Sequence, residues 1–376
     1  MSFKPNLAQI QSLIKRDALD ALIGMSPENF TYLAGVYILT VSSIRPRQGF
    51  VIIPAKGEPA LVICSIEKSL AQAESWIRDV RVYTEFVDNP IDALVAALKD
   101  KGLAQGKFGI DLDYLPASSH QRLTKSLPGA QFVNTTEHVS EVRAIKTPEE
   151  VSFMEKATKE THRAVLDAMA QSKIGEDERT IANRIANNII DNGANGTLFV
   201  CFASGNRTSQ AHAHATDRVP REGEIIRFDV GGTYGAFATD FARTYSTGNP
   251  SPMQRQVHRQ LCEVQEATIN AMRPGIAAED IFYVCTDEFK KRGLPCTLPH
   301  IGHSFGIELH ENPMIRPGDK TKLKPGMVIN IEPMTFDDER SYYHTEDLVV
   351  ITENGYRLLT LGFAPKELPI MGQRIG

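Results

Sequence analysis

Arg227-Phe-Asp-Val-Gly-Gly-Thr-Tyr-Gly-Ala-Phe-Ala-Thr-Asp-Phe-Ala-Arg-Thr244 decides the reading of this chain. Two runs rich in apolar and aromatic residues flank the glycine-rich bend Gly231-Gly-Thr-Tyr-Gly235, the pattern of two strands joined by a turn. Each run carries one aspartate, Asp229 before the bend and Asp240 after it, and the turn brings the second back toward the first. On a strand, Ala238 and Ala242 share a face with Asp240 and leave room beside it, whereas Phe237, Phe241 and Tyr245 project the other way into packing. An ionised carboxylate in such surroundings is costly to bury alone. Singly, either aspartate reads as the partner of an arginine or a turn; side by side, they fit two ligands of one metal site.

Three further segments have the same character: Pro299-His-Ile-Gly-His-Ser-Phe-Gly-Ile-Glu-Leu-His310, Val328-Ile-Asn-Ile-Glu-Pro333 and His344-Thr-Glu-Asp-Leu-Val-Val350. They add His303, Glu332 and Glu346. Alone, His303 reads as a satisfied loop histidine and its flanking Gly302 and Gly306 as a turn. Four carboxylates and one imidazole together form a hard oxygen and nitrogen donor set, whose four negative charges match two divalent cations. Without cations, carboxylates so crowded must take up protons. With them, the cluster clamps two ions and lowers the pKa of a water between them. The residues therefore point to a dinuclear metal hydrolase.

That set, in that order, resembles the pita-bread metallopeptidases, the family of methionine aminopeptidase, aminopeptidase P, prolidase and their metal-free relative creatinase. The resemblance covers essentially the whole chain and is nearest to the Xaa-Pro dipeptidases. It implies metal ligands at Asp229, Asp240, His303, Glu332 and Glu346; creatinase-like members lack the ligand carboxylates, which this chain retains. It also implies a substrate-contacting His310, seven residues after His303, and a second such histidine at His212, with His214 as its competitor. In the mechanism it implies, Glu332 accepts a proton from the attacking water and returns it to the departing nitrogen. His310, with one metal, polarises the scissile carbonyl, and His212 steadies the substrate from the opposite wall. Two ions are expected, manganese first for so carboxylate-rich a site, with cobalt, zinc or iron as alternatives. A homodimer is expected too, in which Arg45 or Arg47 could reach a partner's pocket.

The substrate is less closely specified. Prolidase-like relatives place an arginine two residues before the second ligand glutamate, where this chain has His344. A histidine there titrates near neutral pH and is expected to give pH-dependent recognition of a substrate carboxylate. Arg316 is an alternative carboxylate anchor. Glu308 and Glu311 read as solvated residues or as supports for the ligands, Asp347 as structural, and the run Lys320-Thr-Lys-Leu-Lys324 as an exposed loop. Three functions remain open: an Xaa-Pro dipeptidase or aminopeptidase, a same-scaffold enzyme acting on a small non-peptide amide or amidine or as a lyase, and a non-catalytic binding paralogue.

A chain of 376 residues exceeds what one hydrophobic core usually organises, and two domains are expected, residues 1–143 and 144–376. The expected class is mixed α/β. Alternating helix and strand signals, among them the hairpin Gly49–Pro54 with Pro59–Cys64, mark a small creatinase-like N-terminal domain. From Thr147-Pro-Glu-Glu150 onward a helix, helix, strand-pair order occurs twice, implying a pseudo-two-fold catalytic domain with the metals between its sheets. A charged fraction of 23% and a net charge of -5 give no electrostatic reason to expect nucleic acid or an anionic membrane as partner. The opening Met1-Ser-Phe-Lys-Pro-Asn6 has no apolar signal core, and the five cysteines are widely spaced. A cytoplasmic protein with reduced thiols, acting on a dipeptide or another small molecule, is therefore expected.

Overall fold

The computed structural model describes residues 3–296 and 298–374. The chain divides into two compact units between Arg143 and Ala144.

The first unit is built on six strands: β1 Ala21–Gly24, β2 Phe50–Pro54, β3 Ala60–Cys64, β4 Asp79–Tyr83, β5 Gly106–Ile110 and β6 Ala130–Asn134. They form one mixed sheet in the order β4-β3-β2-β1-β5-β6, with the expected hairpin present as the antiparallel pair β2–β3. The opening helix is Leu7–Arg16, capped by Asn6 and ended at Asp17. A turn follows in which Ala18 adopts a φ of 50°, freeing Ala21 for the sheet. Ile23, Phe50, Val62, Leu94 and Phe108 are fully buried in this unit's core. Arg47 pairs with Glu85 at 2.7 Å and Glu67 at 3.6 Å, so its guanidinium is engaged inside its own unit; Arg45 is exposed.

The second unit repeats one plan. In its first half, helices Pro148–Gln171 and Glu178–Asp191 precede β7 Gly196–Ser204, β8 Ile225–Tyr234, β9 Phe237–Ala238 and β10 Phe241–Ser246. In its second, helices Pro252–Asn270 and Ala278–Arg292 precede β11 Gly302–Ser304, β12 Glu311–Met314, β13 Val328–Ile331, β14 Met334–Phe336, β15 Tyr342–His344, β16 Asp347–Thr352 and β17 Gly355–Leu358. The leading helix of each half starts with the same device: Thr147 with Glu150, and Ser251 with Gln254, close capping boxes around a proline at the first turn. Each box satisfies two backbone N–H groups that a helix start leaves unpaired.

The first sheet runs β10-β8-β7 and the main second sheet β12-β11-β13-β16-β17, both antiparallel. Apolar side chains close the outer face of each sheet against its helices, with Phe202, Phe228 and Phe241 in one cluster and Ile301, Ile329 and Val349 in the other. All five cysteines are free. Among the described residues, no helix is long and apolar enough to cross a membrane.

Candidate metal centre

The β8–β10 hairpin does what its sequence promises. Ala242 lies opposite Asp229 in the antiparallel register, and Thr239 ties the bend by accepting from the Gly232 N–H at 2.9 Å and meeting Thr161 Oγ1 at 2.9 Å. Gly231 is required here, since a Cβ at that position would collide with the Thr239 carbonyl. On the other sheet, Gly302 plays the same part beside His303, where a Cβ would run into the Asn330 carbonyl. The two glycines let neighbouring backbones close up, and the ligand-bearing strands are drawn in with them.

Asp229, Asp240 and Glu346 present carboxylate oxygens that all lie within 4.8 Å of one another. His303 stands over this group with Nε2 3.7 Å from Asp240 Oδ2 and 3.5 Å from Glu332 Oε1. All five residues expected to bind metal are therefore in one cluster. Burial, compounded by neighbouring negative charges, pushes Asp240 and Glu346 well above the ordinary carboxylate range, and Asp229 moves up as well. Glu332 goes the other way. Burial opposes its ionisation, but the imidazoles beside it, that of His300 foremost, outweigh burial and hold the carboxyl at about 2.

The residues fit cations on a second ground. Asp229 Oδ1, His303 Nε2, Glu332 Oε1 and Glu346 Oε2 are buried atoms with no hydrogen-bond partner in the protein. Buried polar atoms are otherwise almost always satisfied, and four such atoms on one cluster are what divalent ions would complete. The supports around them are satisfied instead. The His303 Nδ1 side meets the Ser304 carbonyl at 3.1 Å, fixing the ring that aims Nε2 inward. Asn330 Nδ2 donates to Glu346 Oε1, and Arg243 donates to the Glu346 carbonyl and to Asp347 Oδ1, the latter at 2.6 Å. Asp347 also accepts from Thr360 and from the Ala364 N–H, so it is a structural carboxylate, as its position facing away from Glu346 implies.

The histidines around the cluster divide into several kinds. The His310 ring lies 4.0 Å from that of His303, at the edge of the cluster, and His212 is exposed on the segment that follows β7. Burial, helped by neighbouring imidazoles, pushes His310 down to about 4. His214 is exposed, and its carbonyl is held by Arg207. His300 carried no role in the sequence reading, yet its Nδ1 lies 3.4 Å from Glu332 Oε1 and that contact raises its pKa. Its signal was the Pro299-His300 step inside the segment already singled out for His303.

Three of the expected residues lie in surroundings that the sequence did not reveal. His344 does lie beside the cluster, with Nε2 3.9 Å from Glu332 Oε2. Burial, with the charge of Arg227 behind it, pushes it down to about 3, so it stays neutral and cannot give pH-dependent anion recognition near neutrality. Glu311 is not solvated: it is buried and pairs with Lys146 at 2.9 Å, their side chains 1% and 2% exposed. Arg316 is exposed and donates to the carbonyl of Pro317; among the described residues, no hydrogen bond or ion pair joins it to the cluster.

Comparison with known proteins agrees with this geometry. Residues 152–353 match the model of metallopeptidase family M24, and residues 6–145 that of the creatinase/prolidase N-terminal domain. The chain is 29% identical over 359 residues to an Xaa-Pro dipeptidase of Pyrococcus furiosus, covering 95% of this chain and 98% of the relative. It is 31% identical over 328 residues to a probable dipeptidase PepE of Mycobacterium bovis, covering 85% and 84%. The crystal structure of dipeptidase PepE from Mycobacterium ulcerans superposes with a TM-score of 0.83 at 29% identity, over 97% of this chain and 96% of that one. With its carboxylate and imidazole cluster set on that shared fold, the chain belongs to metallopeptidase family M24 and is a metal-dependent hydrolase of peptide bonds.

Proposed function

We propose that this enzyme is an Xaa-Pro dipeptidase or a closely similar aminopeptidase, with residues 144–376 as its catalytic domain. The observation that carries the reading is the buried cluster of four carboxylates and one imidazole, whose inward atoms have no partner within the protein. The relative named Xaa-Pro dipeptidase supports the substrate class. Asp229, Asp240, His303, Glu332 and Glu346 would hold two divalent ions, manganese for preference. Bound there, the ions supply a water acidic enough to attack at neutral pH and a Lewis acid for the scissile carbonyl.

The chain's own groups do the rest. Glu332, kept ionised by the imidazoles around it, accepts the proton of the attacking water and returns it to the departing amine. His310, neutral near pH 7, donates a hydrogen bond to the oxygen that gains charge as the carbonyl becomes tetrahedral. His212 steadies the substrate from the facing segment. Five unpaired thiols accord with a reducing compartment such as the cytoplasm, and the family resemblance favours a homodimer.

A second reading is favoured by one observation. His344 is buried and neutral, so it offers no charge to a dipeptide's carboxylate, and a small non-peptide amide would suit that wall. The test is hydrolysis of Xaa-Pro dipeptides and of their C-terminal amides after reconstitution with manganese. Cleavage of the dipeptides supports the first reading; failure to cleave any Xaa-Pro peptide would transfer the assignment to the small amide.

A further inference from the structure

We propose that Arg227 is a positioning residue for the reaction, its guanidinium fixing from beneath the segment that carries His212. The proposal rests on the reading of His212 as a substrate-contacting group. Arg227 lies on β8 two residues before Asp229 and therefore on the same face, between Ala203 on β7 and Thr244 on β10. It is 1% exposed. Nε donates to the Thr208 carbonyl at 3.0 Å, and Nη2 donates to the carbonyls of Gln210 and Ala211 at 2.6 and 2.5 Å. Nη1 is buried and meets no acceptor within the protein.

What sets this arginine apart is the lack of a direct ion pair. Among the described residues no carboxylate forms an ion pair with it, whereas the other fully buried arginine, Arg243, closes on Asp347 at 2.6 Å. A buried cation held by carbonyl dipoles, with Asp229 acting on it without a direct ion pair, is costly, and an apolar side chain would fill the same space at lower cost. The three carbonyls it holds come immediately before His212. The segment is anchored elsewhere by Arg207, which pairs with Glu178 and donates to the His214 carbonyl at 2.8 Å, and by the Tyr342 N–H, which donates to Thr208 Oγ1 at 2.9 Å. Gln210, Ala211 and His212 between these anchors are exposed and have little packing to fix them. A planar guanidinium holds three carbonyls in one fixed geometry, which the point charge of an ammonium cannot reproduce.

The experiment is a double-mutant cycle of Arg227→Lys and His212→Ala, with kcat and KM measured on one Xaa-Pro dipeptide, together with metal content and amide hydrogen exchange. Arg227→Lys alone is expected to keep full metal content and to lower kcat/KM by roughly 10–10²-fold, the scale of a misplaced substrate contact. In the His212→Ala background the same change should cost less than about twofold, because the group it positions is already gone. Equal losses in both backgrounds would overturn the proposal, since a merely structural arginine gives additive effects. Exchange in residues 208–214 should quicken in Arg227→Lys while the rest of the β8 sheet stays protected; unchanged exchange there would also overturn it. A wild-type protein that cleaves no Xaa-Pro peptide would refute the proposed function instead, and the exchange result would then decide the role of Arg227 by itself.

Discussion

Asp229 and Asp347 are both strand aspartates in apolar surroundings, and their fates differ for a reason that can be traced atom by atom. Asp347 spends its oxygens on Arg243, Thr360 and the Ala364 N–H, whereas Asp229 keeps Oδ1 buried and unpartnered beside two more carboxylates. The histidines separate in the same way, which yields a prediction. His303→Ala removes the cluster's only imidazole ligand and should lower metal occupancy, read by elemental analysis of the purified protein. His310→Ala should retain the metal and lose roughly 10²–10⁴-fold in kcat, the scale of a lost proton-transfer or oxyanion contact. The opposite pattern would exchange the two roles. The cluster was legible in the sequence because a charged residue in an apolar or glycine-flanked run has no cheaper explanation once five of them occur in order. His300 and Arg227 were not, because their roles depend on which strands become neighbours. The surroundings of Glu311 and His344 were not legible for one common reason: burial, which alternation along a short irregular segment does not reveal, decides whether such a group is solvated, paired or neutral.

Short segments are where local signals and tertiary context part company. The leading helix of each half was readable from its cap, and Ala278–Arg292 ends at Gly293 with a φ of 68°, the left-handed close that glycine permits. Strand β7 was not anticipated: its first residues, Gly196–Val200, are exposed or only partly buried and lack a clear alternation, and the strand exists because β8 offers it an edge. The segment 304–311 between β11 and β12 carries His310 and is anchored by the buried pair Lys146–Glu311, with Lys146 Nζ also donating to Ser304 Oγ at 3.2 Å. Lys146→Met would leave Glu311 charged in the interior without its cation. It is expected to destabilise the protein by about 3–5 kcal/mol, with much of the loss recovered in the Lys146→Met, Glu311→Leu double variant. Urea unfolding of the single and double variants checks this, and a single variant as stable as the parent would show that the pair is not an anchor.

On the scale of the whole molecule, the two-fold plan of the second unit was visible as a recurring helix, helix, strand-pair order rather than as repeated residues, because each half needs only the same pattern of apolar faces and caps. That plan also buries a histidine on a helix outside the cluster. Burial pushes His258, on the helix Pro252–Asn270, down from 6.5 to about 4, so it is held neutral in the fold and charges readily once unfolded. A depressed histidine stabilises the fold above its unfolded pKa, and that contribution is lost as pH falls from about 6.5 toward 4. Melting temperature should therefore fall over that interval, and less steeply in His258→Gln; parallel profiles for the two proteins would contradict the assignment.

The account stands on one claim, that the four carboxylates and His303 bind two divalent ions on which peptide hydrolysis depends. Its most direct test is a titration of chelator-treated protein with manganese, following Xaa-Pro dipeptide hydrolysis against equivalents added. The expected result is negligible hydrolysis at the start, a rise to a plateau near two equivalents per chain, and no such rise in Asp240→Ala. Full activity in the chelated protein before any metal is added would contradict it.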